Sequence, residues 1–282
     1  MARASDLLKG MHGLGSLPGI YLKLAEVVSD PRSSASDVGR IIAEDPGLTA
    51  RLLKLVNSAM YNFPSRIETV SHAISIVGTA QLQDLALATS VIRLFANLPQ
   101  GLVTMESFWR HSVACGVIAR ALASRRREAN VERFFVAGLL HDIGRPVMYM
   151  QVPDQSRIVL TRSRETRSPL FRLEQETFGF DHTHVGHALL DLWRLPPSLR
   201  EAVAQHHHPD RAQRFPVEAA VIHVADIMAN ALGLGSSGEA GIPPLVSSAW
   251  QLIGLPPAIV PDLLEECERH YEAAVRVIAV DA

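Results

Sequence analysis

Apolar side chains recur at spacings of three and four along almost the whole chain, and stretches that alternate apolar with polar positions are scarce. That period lays one apolar stripe along a helix, so the pattern predicts an all-α fold and gives no support for a sheet. Up to Ala96 the stripes are short and predict helices over 17–29, 36–44, 47–58, 69–78 and 81–96. Each interruption holds a residue suited to starting or ending a helix. Pro18 fits a first turn, Ser36 can cap the helix it precedes, Pro46 follows Asp45 at a turn, and Gly78 can close a helix end. Longer stripes predict helices over 107–127, 131–150, 153–165, 169–178, 182–193, 196–206 and 217–232, and an amphipathic tail over 257–280 is expected to pack back on the body.

Two breaks organise the chain. Asn97-Leu98-Pro99-Gln100-Gly101 carries Pro and Gly between periodic segments, and GLGSSGEAGIPP, from Gly233 to Pro244, has the composition of a loop. The expected layout is a lead over 1–16, an N-terminal helical lobe over 17–98, a second helical lobe over 99–232, and a loop with C-terminal helices over 233–282. No repeat of solenoid length is present in the sequence.

Composition narrows the function classes. Apolar residues make up 48% of the 282, enough for a large core. Lys and Arg number 27 against 29 Asp and Glu, and a net charge of −2 gives no general pull toward nucleic acid or anionic membrane. Aromatic and basic residues are not interleaved either, so neither surface is an expected partner. The basic run Arg125, Arg126 and Arg127 is expected to be solvated. No apolar run approaches the ~20 residues that span a bilayer, and MARASDLLKGMHGLG lacks a leader's apolar stretch. With Cys115 and Cys267 far apart, the expectation is a cytoplasmic protein with reduced thiols, Cys115 serving as a small core residue.

The chemistry lies in the histidines. His141 and Asp142 adjoin in LLHDIGRPV, where Gly144 and Pro146 end or kink a helix. His111, His182, His206, His207 and Asp226 stand at or near the ends of other predicted helices, or in Asp226's case on an apolar helix face that demands a partner for a carboxylate. A lone helical histidine is usually a surface or core residue, but histidines and aspartates placed this way on five elements point to one polar cluster inside a helical bundle. Such ligands suit Fe, Mn, Ni or Zn without selecting among them. His184, His187 and His208 are weaker candidates, and His12, His72, His223 and His270 are read as ordinary.

At LLHDIGRPV the chain resembles the HD superfamily of metal-dependent phosphohydrolases, and more closely the HDOD family, the HD-related output domain of bacterial signal transduction. The resemblance rests on IAEDPGLTARLLKLVNSAMY, AISIVG, FWRHSV, VAGLLHDIGR, FGFDHTHVGHALLDLWRLP and AVAQHHHP, in the family's order from about Leu17 to Pro209. It implies two helical lobes, the first particular to HDOD proteins and the second an HD-like bundle. By similarity to the HD-GYP phosphodiesterases, it implies metal-ligand positions at His111, His141, Asp142, His182, His206, His207 and Asp226.

Two departures separate the chain from the enzymes. Their HDIGK pattern has Arg145 here in place of lysine, which the different shape of guanidinium makes a real change, and nothing like a GYP motif follows His208. Arg145 is expected behind the ligands or against a phosphate. The resemblance implies a signalling module that acts through a protein partner or a ligand such as a nucleotide, with homodimerisation open. Asn57, Tyr61, Asn62 and Phe63 are the candidate partner surface, weighed against a role in capping and core closure. The rival is a phosphohydrolase or cyclic-dinucleotide phosphodiesterase with one or two metals, His111, His141, Asp142 and Asp226 on one and His182, His206 and His207 on the second.

Overall fold

The computed structural model describes residues 3–9, 11, 17–95, 99 and 101–278. His12, the end of the helix expected to reach Ala96, residues 97, 98 and 100 of the expected boundary, and the tail beyond 278 lie outside the described residues. Within them all regular structure is helical, as the apolar period predicts.

A short 3-10 turn, Ala4–Leu8, which the pattern did not signal, precedes α1 (Gly19–Ser29), α2 (Ala35–Ala43), α3 (Pro46–Val56), α4 (Val70–Val77) and α5 (Thr79–Val91). The cap of α2 is Ser34, not Ser36. The Ser34 hydroxyl accepts from the Asp37 N–H at 3.3 Å while the Asp37 carboxylate accepts from the Ser34 N–H at 2.9 Å. That reciprocal box needs an acceptor three residues on, and Ser36 has only Gly39 there. Asp45 caps α3 by accepting from the Leu48 N–H at 2.9 Å, with Pro46 in the first position where its missing N–H costs nothing. Gly78, at φ +96°, ends α4 and begins α5.

The remaining helices are α6 (Met105–Arg125), α7 (Val131–Leu140), α8 (Gly144–Gln151), α9 (Pro153–Thr166), α10 (Leu170–Phe178), α11 (His182–Leu192), α12 (Pro197–Gln205), α13 (Pro216–Ala231), α14 (Ser247–Ile253) and α15 (Val260–Ile278). The helix expected over 131–150 is two, broken at His141-Asp142-Ile143. Tight i to i+3 bonds, Ile143 N–H to the Leu140 carbonyl at 3.0 Å and Arg145 N–H to the Asp142 carbonyl at 2.9 Å, turn the chain there. Both halves bury apolar side chains, so the stripe runs through the turn and conceals it.

Helix α6 is the central strut, about 31 Å long at 1.5 Å per residue, with α7, α13 and α15 packed around it. Its crossing with α7 is unusually close: a Cβ on Gly138 would lie 2.7 Å from the Gly116 Cα. Most buried apolar residues before and after position 99 form one continuous cluster, Leu24, Leu52 and Leu85 sharing it with Phe108, Phe134 and Val203, beside a smaller one that holds Tyr149, Leu160 and Leu170. Arg120 of α6 ties the two parts together, donating to the Met60 carbonyl at 3.2 Å and to Glu132 at 2.9 Å while lying over the Tyr61 ring. The basic run at the end of α6 is engaged as well as wet: Arg125 pairs with Glu266 at 2.6 Å and Arg126 donates to the Ile253 carbonyl, fixing α14 and α15. Cys115 and Cys267 are buried and unpaired. No helix among the described residues is long and apolar enough to cross a membrane.

Candidate metal centre

All seven residues marked as ligand positions come together. His111 projects from the second turn of α6, His141 and Asp142 from the turn between α7 and α8, and His182 from the first residue of α11. His206 and His207 follow the end of α12, and Asp226 comes from within α13. Helix ends and one long helix thus converge on a point, and each of the seven is no more than 5% exposed.

The donors form two groups. Asp142, His182, His206 and His207 bring one ligand atom each within 4.8 Å of one another, and so do His111, His141 and Asp226. This regroups Asp142, which the sequence reading placed with His111, His141 and Asp226. The reason is visible in its two oxygens: Oδ1 lies 2.9 Å from His182 Nε2 and 3.8 Å from His206 Nε2, while Oδ2 lies 3.4 Å from His141 Nε2 and 4.0 Å from His111 Nε2. One carboxylate therefore faces both groups. Asp226 Oδ1 closes the other side at 3.1 Å from His111 Nε2, and accepts from the Asn230 amide at 2.7 Å.

Outer contacts fix which nitrogens point inward. The Nδ1 of His141 lies 2.7 Å from the Gly138 carbonyl and that of His206 2.9 Å from the Val203 carbonyl, so each must donate there and turn Nε2 to the centre. For His182 the acceptor is Glu174, 2.6 Å from Nδ1. A carboxylate behind a ligating imidazole orients the ring and raises its basicity. Three imidazole Nε2 atoms converge, His207 to His182 at 3.1 Å and His182 to His206 at 3.5 Å, and buried His141 Nε2 and Asp142 Oδ1 have no hydrogen-bond partner. Lone pairs gathered in a dry interior are costly unless a cation binds them, so this donor set fits a divalent metal.

The same contacts set the charges of the ion-free cluster. Burial pushes the Asp142 carboxyl upward, yet Arg145, His141 and His182 together hold it well below the usual range. Asp226 is likewise held low against burial, by the His111 imidazole at 3.1 Å and by the nearby His141. Burial works against a charge on His182, but the Glu174 carboxylate lifts its pKa to about 9. Burial and the neighbouring His141 and His182 push His206 down to about 3, and burial with His206 pushes His207 low as well. Without a bound ion the cluster thus mixes charged His182 with neutral His206 at pH 7.

Arg145 forms the roof. It is 2% exposed, with Nη1 3.3 Å from Asp142 Oδ2 and Nε 3.9 Å from Glu174. Its remaining partners, Ser237 and Glu239, come from the stretch read as a plain loop. Helix α10 completes the cover, with the Phe171 ring stacked on His207 at 4.3 Å. Sequence reasoning missed Glu174, Phe171, Ser237 and Glu239. The one available signal was Glu174, flanked by Phe171, Leu173 and Phe178 and eight residues before His182.

The other candidates lie elsewhere. The His184 side chain is 56% exposed and bonds Asp181, and His187 and His208 are absent from both ligand groups. His223 is buried and structural, its Nδ1 on the His206 carbonyl and its Nε2 accepting from the Val246 N–H. Asn57 staples a loop, bonding the carbonyls of Leu53 and Ile67 and the Ile67 N–H. Tyr61 stacks on Phe63 at 5.7 Å, and Asn62 is exposed at φ +48°.

Known proteins share this frame. The HDOD domain family model matches residues 14–209. An uncharacterized protein of Treponema pallidum (strain Nichols) is 25% identical over 206 residues, 73% of this chain and 40% of that protein, so the chain spans less than half the length of this curated relative. An HDOD domain protein of unknown function from Geobacter sulfurreducens superposes with a TM-score of 0.81 at 25% identity, covering 97% of this chain and 96% of that one. A candidate phosphohydrolase from Shewanella amazonensis gives 0.74 at 23% identity, with 96% and 97% covered. A candidate signal transduction protein from Marinobacter aquaeolei gives 0.73 at 20%, with 100% and 62% covered. These last two show a shared fold.

Proposed function

Because the chain belongs to the HDOD domain family, we propose that it is a cytoplasmic regulatory module of bacterial-type signal transduction, working through a protein partner or a small ligand around a metal-holding cluster. The observation that carries this reading is a complete ligand set under a closed roof. All seven ligand residues are buried, with Arg145 and Phe171 packed over them. Among the described residues such burial shuts a phosphoester out, whereas a centre that reports binding needs only its cover to respond. The cluster holds one or two divalent ions, Fe, Mn, Ni or Zn, and the buried guanidinium favours a phosphorylated ligand such as a nucleotide.

The partner surface we assign is the depression of about 860 Å³ that Asn57, Asn62 and Phe63 line with Lys54 and Arg66, with Tyr61 stacked on Phe63 beside it. Charge balance argues for a protein there, or a second copy of the chain, over nucleic acid or membrane.

A second reading, phosphohydrolase or cyclic-dinucleotide phosphodiesterase, draws on one observation: Asp142 turns an oxygen to each donor group, as a carboxylate shared by two metals does. Bound metal would supply a low-pKa water and polarise phosphate oxygens. This chain's residues would hold His182 through Glu174, keep bulk water out with Phe171, and orient a phosphoryl group with Arg145.

Asp142→Ala tests the shared site. It is expected to remove the metal and to destabilise the protein by about 3 kcal/mol, since Arg145 loses a buried counter-charge. Unchanged metal and an unchanged melting curve refute the site. Multiple-turnover hydrolysis of a phosphodiester by the parent protein, absent in Asp142→Ala, would favour the second reading.

A further inference from the structure

The centre of the Gly233–Pro244 stretch is seated as firmly as a core element. The Ser236 N–H donates to the Ser107 carbonyl of α6 at 3.1 Å, and the Tyr149 hydroxyl donates to the Ser237 carbonyl at 2.7 Å. Arg145 Nη1 donates to the Ser237 hydroxyl at 2.7 Å. The Glu239 carboxylate accepts from the Leu170 N–H at 3.0 Å and lies 3.4 Å from Arg145 Nη2. Ser237 is 1% exposed and the Glu239 side chain 3%. Between them Gly238 sits at φ +120°, where a Cβ would fall 2.5 Å from the Tyr149 hydroxyl.

A carboxylate resting on a buried guanidinium and on a helix's first N–H occupies the kind of seat an anionic ligand takes. The seat has unused capacity, because Arg145 Nε is buried with no hydrogen-bond partner, and its guanidinium borders Asp142 of the ligand cluster. The carboxylate belongs to a segment that contains Gly238 and is flanked by Gly235 and Gly241, whose backbone freedom lets it leave without moving a helix.

We propose that Glu239 is a built-in stand-in for an anionic ligand, and that the Ser237–Glu239 segment is a displaceable plug which a phosphate group expels when it takes Arg145. This deepens the regulatory reading above and rests on it. Expulsion frees the hydrogen bonds that pin the segment to α6, α8 and α10, so ligand binding becomes a changed surface without any turnover. The segment also joins α13 to α14, which carries the change to the C-terminal helices.

The test uses the full chain and inorganic phosphate, before and after chelation, with metal content measured on every sample. Calorimetric titration is expected to show Glu239→Gln binding phosphate about tenfold or more tighter than the parent, since the isosteric amide keeps an acceptor for the Leu170 N–H but loses the charge that competes for Arg145. Hydrogen exchange is expected to show phosphate deprotecting residues 236–240 in the parent protein. Equal affinity in the two proteins overturns the proposal, and so does tighter binding with no deprotection, because the segment would then not be the occupant. Phosphate responses in parent protein that carries no metal even before chelation would sink the metal centre and leave the plug standing. Bound metal with no phosphate response would do the reverse.

Discussion

Glu174→Gln isolates the charge behind His182. The parent carboxylate accepts from the His182 backbone N–H at 3.0 Å and from Nδ1 at 2.6 Å, and its side chain is 3% exposed. Against burial, it is the foremost cause of a His182 pKa near 9 rather than 6.5. A lift of that size corresponds to about 3 kcal/mol in favour of the imidazolium in metal-free folded protein. The sign follows from the base being lifted: this stability is fully present below pH 6.5 and is lost as pH rises through about 9. Glutamine keeps the acceptor but not the charge. Metal-free Glu174→Gln is therefore expected to lose about 2 kcal/mol at pH 7, about 4 °C in Tm for a chain of this size, and clearly less at pH 9.5. With metal bound, His182 is a neutral ligand whose basicity the carboxylate raises, so a chelator-competition titration is expected to show affinity falling about 10- to 100-fold. Parent-like metal affinity, together with a stability loss equal at both pH values, would refute the argument that Glu174 acts through its charge on His182.

Gly138→Ala is expected to cost about 1–3 kcal/mol and to weaken metal retention, because a Cβ there lies 2.7 Å from the Gly116 backbone and forces apart the helices that carry His111 and His141. A parent-like Tm and metal content would contradict it. Away from the centre, burial raises the Asp84 carboxyl to about 6, against the hydrogen bond from Asn130. For an acid shifted upward, the folded state binds the extra proton, so stability falls as pH climbs from about 4 through about 6. Asp84→Asn is expected to stabilise by about 1–2 kcal/mol at pH 7.5, discounted for a half-buried group, and to change nothing at pH 4. A gain independent of pH, followed by denaturant titration, would rule out the ionisation argument.

Much of the fold was legible because helices announce themselves locally. Asp45 with Pro46 and Gly78 at a positive φ mark their boundaries by chemistry that needs no knowledge of the rest of the chain. The break at His141-Asp142-Ile143 was not legible, since two helices that both bury apolar side chains share one stripe across a tight turn. Ser34 and Ser36 illustrate a smaller loss: only the carboxylate three residues on distinguishes the true cap.

The clustered residues were legible for a different reason. Histidine and aspartate in apolar surroundings are expensive, so their placement on five elements already implied a meeting point. The division into two groups was read correctly except for Asp142, because which way each of its oxygens faces depends on how α7, α8, α11 and α12 meet. Glu174 reads in sequence as an ordinary residue of an amphipathic helix, and Glu239 as a charge in a glycine-rich loop. Both gain their roles from Arg145 and His182, partners that only the tertiary fold supplies.

The most direct test of the metal centre is elemental mass spectrometry on untagged protein purified without chelator, for the parent and for His141→Ala. The arrangement of donors predicts one or two equivalents of Fe, Mn, Ni or Zn in the parent and their loss in the variant. Well-folded parent protein without metal, or full metal content in His141→Ala, would contradict it.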